Sequence, residues 1–189
     1  MQRHATILLS GGIDSATCAY LMKEEGYDVS GLYVDFGQVS ARKERHAIEL
    51  LSDKLSITTK IIEASTTDKF GIGELIGRNA FLIFSAILLG GCCEGLLVLG
   101  IHSGTTYFDC SRAFVERIGP LVEECTDGRV GVVAPFLDWT KDEVYKLFLA
   151  SGIPIAQTYS CERGYDEPCG VCSSCKDRAR LECSLNVAP

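Results

Sequence analysis

The sequence has 189 residues, which is enough for one well-cored domain and too short for two of ordinary size with a linker. We therefore expect a single domain over residues 1–189. Its composition, 47% hydrophobic and 23% charged, is that of a compact globular protein and excludes a disordered chain. The formal net charge of −7 opposes binding to phosphate backbones, so nucleic acid is not an expected partner.

The ten cysteines raise the question of a disulfide framework. The sequence opens at Met1 and runs within a few residues into a short apolar strand, without the pattern of a signal peptide. The longest apolar stretch, near residues 81–91, is too short and too rich in glycine to span a bilayer. We therefore expect a cytoplasmic protein without a membrane partner, whose cysteines are thiols or metal ligands.

Apolar runs of strand length alternate along the chain with amphipathic stretches of helical length. This alternation predicts an α/β fold of the Rossmann-like, doubly wound type, with a parallel sheet of about five strands. Strands are expected, in chain order, at residues 5–9, 29–34, 57–63, 96–101 and 130–135. Helices are expected at residues 15–25, 41–55, 79–90, 110–125 and 141–151. Thr140 and Glu143 have the spacing of a capping box at the start of the last helix. Beyond Gly152 the periodicity of core elements stops.

The hexapeptide Ser10-Gly11-Gly12-Ile13-Asp14-Ser15, called the phosphate loop below, follows the first strand directly. Its glycines let backbone amides approach a phosphate, and the helix N-terminus behind them adds free amides and a positive dipole end. Ser10 and Ser15 offer hydroxyl donors, and Asp14 could hold a Mg²⁺ ion that bridges phosphates. For two glycines alone, a tight turn without a ligand would be the simpler interpretation.

The complete hexapeptide resembles the signature of the PP-loop ATP pyrophosphatases, which cleave ATP between the α- and β-phosphates. A Walker A loop is not supported, because no Gly-Lys-Ser/Thr is present. Asp35 and Phe36 come just beyond the second strand, and ligands of open α/β sheets bind at the carboxyl ends of strands. They are candidates for the nucleotide pocket, although an ordinary loop with an aspartate would look the same.

Four cysteines, Cys161, Cys169, Cys172 and Cys175, form a C-x7-C-x2-C-x2-C pattern within residues 158–177, called the cysteine segment below. Four thiolates at tight spacing suit a tetrahedral structural Zn²⁺ ion. An iron–sulfur cluster is the chief rival, and spacing alone does not separate the two. A bound metal would supply the folding free energy that this segment lacks in apolar residues.

The phosphate loop and the cysteine segment, in this order, resemble the 7-cyano-7-deazaguanine synthases (QueC), and the likeness covers nearly the whole chain. Other matching stretches are Asp35-Phe36-Gly37-Gln38, Gly77-Arg78-Asn79, Phe108-Asp109-Cys110 and residues 135–141. The resemblance implies a fold of the PP-loop, adenine nucleotide α-hydrolase type with a C-terminal zinc-binding segment at 158–177. It also implies ATP, Mg²⁺ and Zn²⁺ as cofactors, and a homodimer.

The reaction implied by the resemblance is a carbon–nitrogen ligation. The carboxylate of 7-carboxy-7-deazaguanine is adenylated by ATP, ammonia displaces AMP to give an amide, and a second adenylation allows dehydration to the nitrile. By position, Lys141 matches a lysine that reaches the phosphates, although a solvated lysine in a first helical turn is the alternative. Arg78 matches a stretch near the active site, and Asp109 and Arg112 are candidates for contact with substrate or phosphate.

Two regions, residues 64–76 and 101–108, are shorter than in the family pattern, and both are expected to border the substrate. A trimmed cover admits a larger nucleophile than ammonia. Short QueC-like proteins are associated with antiphage defence, so ligation of the same acid to an amine of a partner protein is an alternative function. A PP-loop tRNA thiolation enzyme is a more distant alternative, and a scaffold without turnover is the last.

Overall fold

A computed structural model of the chain describes residues 3–64, 70 and 72–185. Its strands are β1 (His4–Leu8), β2 (Asp28–Asp35), β3 (Thr59–Glu63), β4 (Gly95–Val98) and β5 (Val130–Val133). Its α-helices are α1 (Ile13–Glu24), α2 (Ala41–Leu55), α3 (Arg78–Leu88), α4 (Arg112–Cys125), α5 (Lys141–Ala150) and α6 (Ser173–Leu185). All five predicted strands and all five predicted helices are therefore present.

The five strands form one parallel sheet in the order β3-β2-β1-β4-β5. The chain first moves outward from β1 to β3 and then returns to the other side of β1 to add β4 and β5. The strand order thus reverses between β1 and β4, where loops leave the sheet in opposite directions and open a crevice. The doubly wound fold predicted from the sequence is confirmed.

Helices cover both faces of the sheet, and each face has its own hydrophobic core. One core contains buried residues of α1, α2, α5 and α6, including Met22, Leu51 and Phe148. The other contains buried residues of α3 and α4, including Ile83 and Val122. Strands with apolar cover on both sides read as nearly continuous apolar runs, which is why they could be found in the sequence.

Helix boundaries agree with the prediction where a local cap marks them. Thr140 and Glu143 form the expected capping box, with the Thr140 amide donating to Glu143 Oε2 at 2.7 Å. The prediction for α4 began two residues too early. Residues Phe108–Cys110 form a separate 3-10 turn, and the side chain of Ser111 caps the helix by accepting from the Phe114 amide at 3.2 Å.

The sequence prediction missed α6. This helix is polar on most of its surface, and Leu181 is its buried aliphatic anchor in the core beside α1 and α5. Arg178 of α6 fixes the chain at the start of the cysteine segment. It donates hydrogen bonds to the carbonyl oxygens of Thr158 and Ile155 at 3.2 and 3.0 Å. Polar contacts of this kind leave no apolar periodicity in the sequence. Among the described helices, none combines the length and the apolar character needed to cross a membrane.

Candidate functional site

A cleft of about 530 Å³ opens at the carboxyl edge of the sheet, above the point where the strand order reverses. Its volume lies within the range of ordinary ligand sites, about 300–1,000 Å³. The phosphate loop, the ends of β2 and β4, the start of α3, Lys141 and the cysteine segment all contribute to its lining. The fold therefore brings together candidates that lie between residues 10 and 161 of the sequence.

The phosphate loop forms the floor of this cleft at the N-terminus of α1. Gly12 is the N-cap of α1 and supplies no side-chain cap, so the first amides of the helix face the cleft. The Ser10 amide donates to Ser15 Oγ at 3.1 Å, and Ser15 Oγ donates to the Gly12 carbonyl at 3.2 Å. These bonds hold the loop in the curved form that concentrates N–H groups on one side.

Gly11 has a structural reason to be glycine. Its φ of +78° lies in the left-handed region, and a Cβ there would approach the Glu44 carbonyl oxygen to 3.0 Å and the Ala47 Cβ to 3.1 Å. The loop is thereby pressed against α2. The backbone of Gly100, after β4, lies equally close to the first turn of α1, since a Cβ would come within 3.0 Å of the Ser15 nitrogen.

Asp14 and Lys141 form an ion pair across the cleft, in which Lys141 Nζ donates to Asp14 Oδ2. Lys141 is the first residue of α5, and the capping box directly before it fixes where the helix starts. Asp14 Oδ1 is buried and has no hydrogen-bond partner among the described residues. A buried carboxylate oxygen without a donor is suited to a cation.

A second group of candidates surrounds the start of α3. Arg78 lines the cleft, and the next residue, Asn79, donates two hydrogen bonds to Asp109. The Asn79 amide donates to Asp109 Oδ2 at 3.0 Å, and Asn79 Nδ2 donates to the Asp109 carbonyl at 2.8 Å. The buried carboxylate of Asp109 thus caps α3 from outside and fixes the backbone that carries Arg78. Asp109 itself does not line the cleft.

Cys110 lines the cleft together with Arg78 and Asn79. Its thiol accepts from Asn79 Nδ2 at 3.6 Å. Burial, and then the neighbouring charge of Asp109, raise the pKa of Cys110 to about 11. The thiol is therefore protonated at neutral pH.

Two sequence candidates lie away from the cleft. Asp35 accepts from Arg45 Nη2 at 2.7 Å and from the Gly37 amide at 3.0 Å, so its carboxylate is engaged at the sheet edge. Arg112 is exposed and donates to both carboxylate oxygens of Asp138 at 2.5 Å. Neither residue lines the cleft, whereas Phe36 does. The structure thus separates Asp35 and Arg112, like Asp109, from the candidates that line the cleft.

The four cysteines converge, as their spacing predicted. Their sulfur atoms all lie within 4.8 Å of one another, close enough to share a single metal ion. The amides of Cys169 and Cys172 donate to the sulfurs of Cys161 and Cys169, each at 3.4 Å. Amides of Val171 and Cys172 lower the pKa of the Cys169 thiol to about 6, which favours the thiolate form that binds metals.

The cysteine segment also packs against the phosphate loop. The Tyr159 amide donates to the Gly11 carbonyl at 2.9 Å, and Cys161 and Glu162 line the cleft. Glu162 Oε1 caps the start of α6 by accepting from the Ser174 amide at 3.2 Å and from Ser173 Oγ at 2.7 Å. The segment is therefore one wall of the cleft.

His102 is one of the cleft residues that were not predicted as site residues from the sequence. It follows β4 on the other side of the strand reversal from the phosphate loop, and it is only 8% exposed. A polar residue directly after an apolar strand at the central strand reversal is a signal that could have found it. Two regions are shorter than in the family pattern and were expected to border the substrate. Region 101–108 contains His102 and lines the cleft, whereas region 64–76 falls partly outside the described residues.

The family model for "Queuosine biosynthesis protein QueC" matches residues 4–82 and 75–182 of this chain. These two ranges contain the phosphate loop, Lys141 and all four cluster cysteines. The chain belongs to the QueC family. Membership makes it an enzyme of the ATP-using PP-loop class, as the resemblance implied.

Curated relatives agree with the family assignment. The 7-cyano-7-deazaguanine synthase of Methanoculleus marisnigri is 33% identical over 204 aligned positions, covering 93% of this chain and 92% of the relative. The synthase of Synechococcus sp. is also 33% identical, covering 92% of this chain and 90% of the relative. Because 204 aligned positions exceed the 189 residues of this chain, the first relative has residues that this QueC-family member lacks.

Solved structures show the fold alone, because their sequences are distant. An NMN synthetase from Francisella tularensis has a TM-score of 0.56 at 16% identity and covers 87% of this chain. The U34-tRNA thiolase NcsA from Methanococcus maripaludis, solved with its [4Fe-4S] cluster, has a TM-score of 0.55 at 17% identity and covers the whole chain. Both are consistent with the PP-loop type of α/β fold.

Proposed function

We propose that this chain converts 7-carboxy-7-deazaguanine into 7-cyano-7-deazaguanine, with ATP and ammonia as co-substrates. The observation that carries the proposal is that the family match includes the phosphate loop and the cysteine segment, which the fold places on the same cleft. The relatives that match along nearly the whole chain are named as synthases of this nitrile. Residues 1–189 would act as one domain, since both hydrophobic cores share one sheet.

The proposed first step joins the substrate carboxylate to the α-phosphorus of ATP and releases pyrophosphate. A carboxylate is a poor electrophile until one oxygen becomes part of a good leaving group, and the adenylate supplies AMP as that group. The open amides at Gly12 and the hydroxyls of Ser10 and Ser15 would hold the departing pyrophosphate. Ammonia then displaces AMP to form the amide.

The second step repeats the activation on the amide oxygen. The adenylated amide loses AMP and a proton to become the nitrile, so each nitrile formed consumes two ATP molecules. Both activations use the same cleft and the same pyrophosphate grip. Lys141 and Arg78, two of the cations that line the cleft, would offset the negative charge of the phosphates.

Asp14 is the residue that we propose for holding Mg²⁺. Its buried Oδ1 lacks a donor among the described residues, and this vacant acceptor fits a cation that also contacts phosphate oxygens. The bound ion would neutralise charge on the pyrophosphate as it leaves. Lys141, paired with the other carboxylate oxygen, holds the Asp14 side chain in place at the cleft.

Zinc is the metal that we propose for Cys161, Cys169, Cys172 and Cys175. A Zn–S bond of about 2.3 Å places the sulfurs of a tetrahedral site about 3.8 Å apart, which agrees with a cluster whose sulfurs lie within 4.8 Å of one another. A cubane cluster places an iron under each thiolate and spreads the sulfurs further. The ion would be structural, because four protein thiolates leave no open position for chemistry.

The alternative functions gain no support. The tRNA thiolase shares the fold at 17% identity, and a fold alone does not carry its function. Ligation to a partner protein has no observation in its favour among the described residues. The homodimer implied by the resemblance stays a prediction, for which the exposed Phe81 and Leu88 of α3 would be the first residues to examine.

The test is to incubate the purified chain with 7-carboxy-7-deazaguanine, ATP, Mg²⁺ and ammonium chloride and to follow the products by mass spectrometry. We expect the amide first, then the nitrile, with two AMP per nitrile. Formation of amide without nitrile would reject the dehydration step. No AMP release in the presence of the acid would reject the proposed substrate.

A further inference from the structure

His102 occupies a fixed position opposite the phosphate loop. The backbone of Gly100, two residues earlier, lies against Asp14 and Ser15 in the first turn of α1. On the other side, the Ser103 amide and hydroxyl both donate to the Trp139 carbonyl oxygen, at 3.0 and 2.7 Å. These contacts anchor the turn around His102 to the phosphate loop and to the segment that leads into Lys141.

The ring of His102 is held in one tautomer. The Gly104 amide donates to Nδ1 of His102 at 3.0 Å, so Nδ1 acts as an acceptor. In a neutral imidazole the proton must then lie on Nε2. The polar atom that remains for a ligand is a hydrogen-bond donor.

Protonation of this ring is disfavoured by its surroundings. A proton on Nδ1 would face the Gly104 N–H and break the bond between them. Burial lowers the pKa of His102, and Lys141 of α5 acts in the same direction, whereas Asp14 of α1 and Asp177 of α6 oppose the shift. The donor therefore persists at neutral pH.

Nε2 is open to the cleft. Among the described residues no hydrogen bond to Nε2 is formed, and the atom does not belong to the buried unpartnered atoms, which are Asp14 Oδ1 and Gln157 Oε1. His102 lines the cleft together with Ser10, Asp14 and Lys141. A ligand seated on the phosphate loop would thus meet a neutral N–H from the β4 side.

We propose that His102 is a catalytic residue that donates an Nε2–H hydrogen bond to a phosphate oxygen of ATP bound on the phosphate loop. This inference rests on the proposed ATP site. Negative charge on the α-phosphate oxygens rises as the carboxylate attacks, and a preorganised donor stabilises that charge. Being neutral, this donor does so without competing with Lys141 for Asp14 and without repelling a bound cation.

The chain offers a matched pair of substitutions at this position. In His102→Asn the amide oxygen can replace Nδ1 as acceptor for Gly104, but the side chain is too short to place a donor where Nε2 lies. In His102→Gln the amide nitrogen can reach the Nε2 position. A role in merely shaping the turn would be kept by asparagine, whereas donation to a phosphate would be kept by glutamine.

The measurement is titration calorimetry of α,β-methylene-ATP with Mg²⁺ and, separately, of adenosine, in the absence of the deazaguanine acid. We expect His102→Asn to weaken binding of the analogue about tenfold or more, as for loss of a hydrogen bond to a charged group, and to leave adenosine binding unchanged. His102→Gln should stay close to wild type. His46→Asn, an exposed site on α2, is the control for loss of a histidine.

Several outcomes would overturn the proposal. Wild-type affinity in His102→Asn would show that His102 does not contact a phosphate. Equal losses of affinity in both variants would show that His102 only shapes the turn. Adenosine binding that falls in parallel would move the contact to the nucleoside. Because the acid is absent, a wild-type chain that binds the analogue but makes no AMP from the acid would reject the proposed function and leave this inference standing.

NMR keeps the proposal testable if a variant fails to fold. The chain has three histidines, so long-range ¹H–¹⁵N spectra of the wild-type protein contain only three imidazole patterns. At pH 8 we expect the His102 ring to be neutral and protonated on Nε2, with an Nε2–H resonance that shifts when α,β-methylene-ATP binds and stays in place with adenosine. A ring protonated on Nδ1, or an Nε2–H unaffected by the analogue, would reject the proposal.

Discussion

The backbone amide of Tyr159 donates a hydrogen bond to the carbonyl oxygen of Gly11 at 2.9 Å. These residues are 148 positions apart in the sequence, and the bond joins the cysteine segment to the phosphate loop. Since the Gly11 carbonyl is fixed from this side, the curvature of the loop depends on the position of the cysteine segment. Metal binding and nucleotide binding should therefore be linked.

Loss of the metal is predicted to destabilise the chain and to weaken ATP binding. Cys172→Ser removes one of four thiolates, and a structural zinc site supplies several kcal/mol of folding free energy. Because about 1 kcal/mol shifts Tm by about 2–4 °C in a chain of this size, we expect Tm to fall by about 10 °C or more. Metal content by mass spectrometry should fall from one zinc per chain to none.

The control for this prediction is Cys125→Ser. Cys125 is an exposed cysteine at the end of α4 and lies outside the cluster. It should keep one zinc and the wild-type Tm. Iron in place of zinc in the purified wild-type chain would contradict the proposed metal.

Asp14→Asn is predicted to abolish most pyrophosphate release without unfolding the chain. The neutral amide oxygen is a weaker ligand for Mg²⁺ than a carboxylate, and it leaves Lys141 without its charged partner. We expect a loss of about 10²–10³ in rate, the usual cost of removing a group that stabilises developing charge. Asp142→Asn, next to Lys141 but paired with Arg180 on the exposed face, should retain activity. Equal losses in both variants would contradict the assignment.

The crowding of Gly11 can be separated from its backbone conformation. Gly26 has a similar φ, +81°, but a Cβ there would meet nothing within 4 Å. Gly26→Ala should lower the free energy of unfolding by about 1–2 kcal/mol, the cost of a left-handed residue with a side chain. Gly11→Ala should cost about 1–3 kcal/mol more, because the methyl group would press on Glu44 and Ala47. Urea unfolding measures the free energy of unfolding of both variants. Equal losses would show that α2 moves away from the added methyl group without an energetic cost.

Cys110 is predicted to resist alkylation at neutral pH. Its pKa is raised to about 11, first by burial and then by Asp109, so the thiol stays protonated below that pH. At pH 8 only about one thiol in a thousand would be the reactive thiolate. Iodoacetamide labelling followed by peptide mass spectrometry should modify the exposed Cys93 and Cys125 long before Cys110. Labelling of Cys110 should accelerate as the pH rises and in Asp109→Asn, which removes the neighbouring negative charge.

Helices and strands were predictable where residues close together in the sequence show the pattern of a buried face or of a helix cap. The bounds of α2 were predicted correctly as residues 41–55, because its apolar face repeats at helical spacing. The start of α5 was marked by Thr140 and Glu143. In contrast, α6 was missed because many of its contacts are polar and because Leu181 is the one buried aliphatic residue among those of its side chains that the structure describes.

The residues of the candidate site were also predictable from the sequence only in part. Asp35 and Arg112 were singled out by their neighbours in the sequence, yet the side chain of Asp35 meets Arg45 and that of Arg112 meets Asp138. Where a side chain at the end of an element points depends on contacts with other elements, which sequence spacing does not contain. His102 was overlooked for the opposite reason, since its place in the cleft depends on how β4 lies beside β1.

The sequence by itself determined the phosphate loop and the four-cysteine cluster, because their chemistry depends on residue types at short spacing, where the backbone allows few arrangements. Tertiary structure alone decided that these two features share a cleft, that Asp14 meets Lys141, and that His102 faces them. Those relationships join residues up to 148 positions apart, and they follow from the order in which parallel strands assemble around β1.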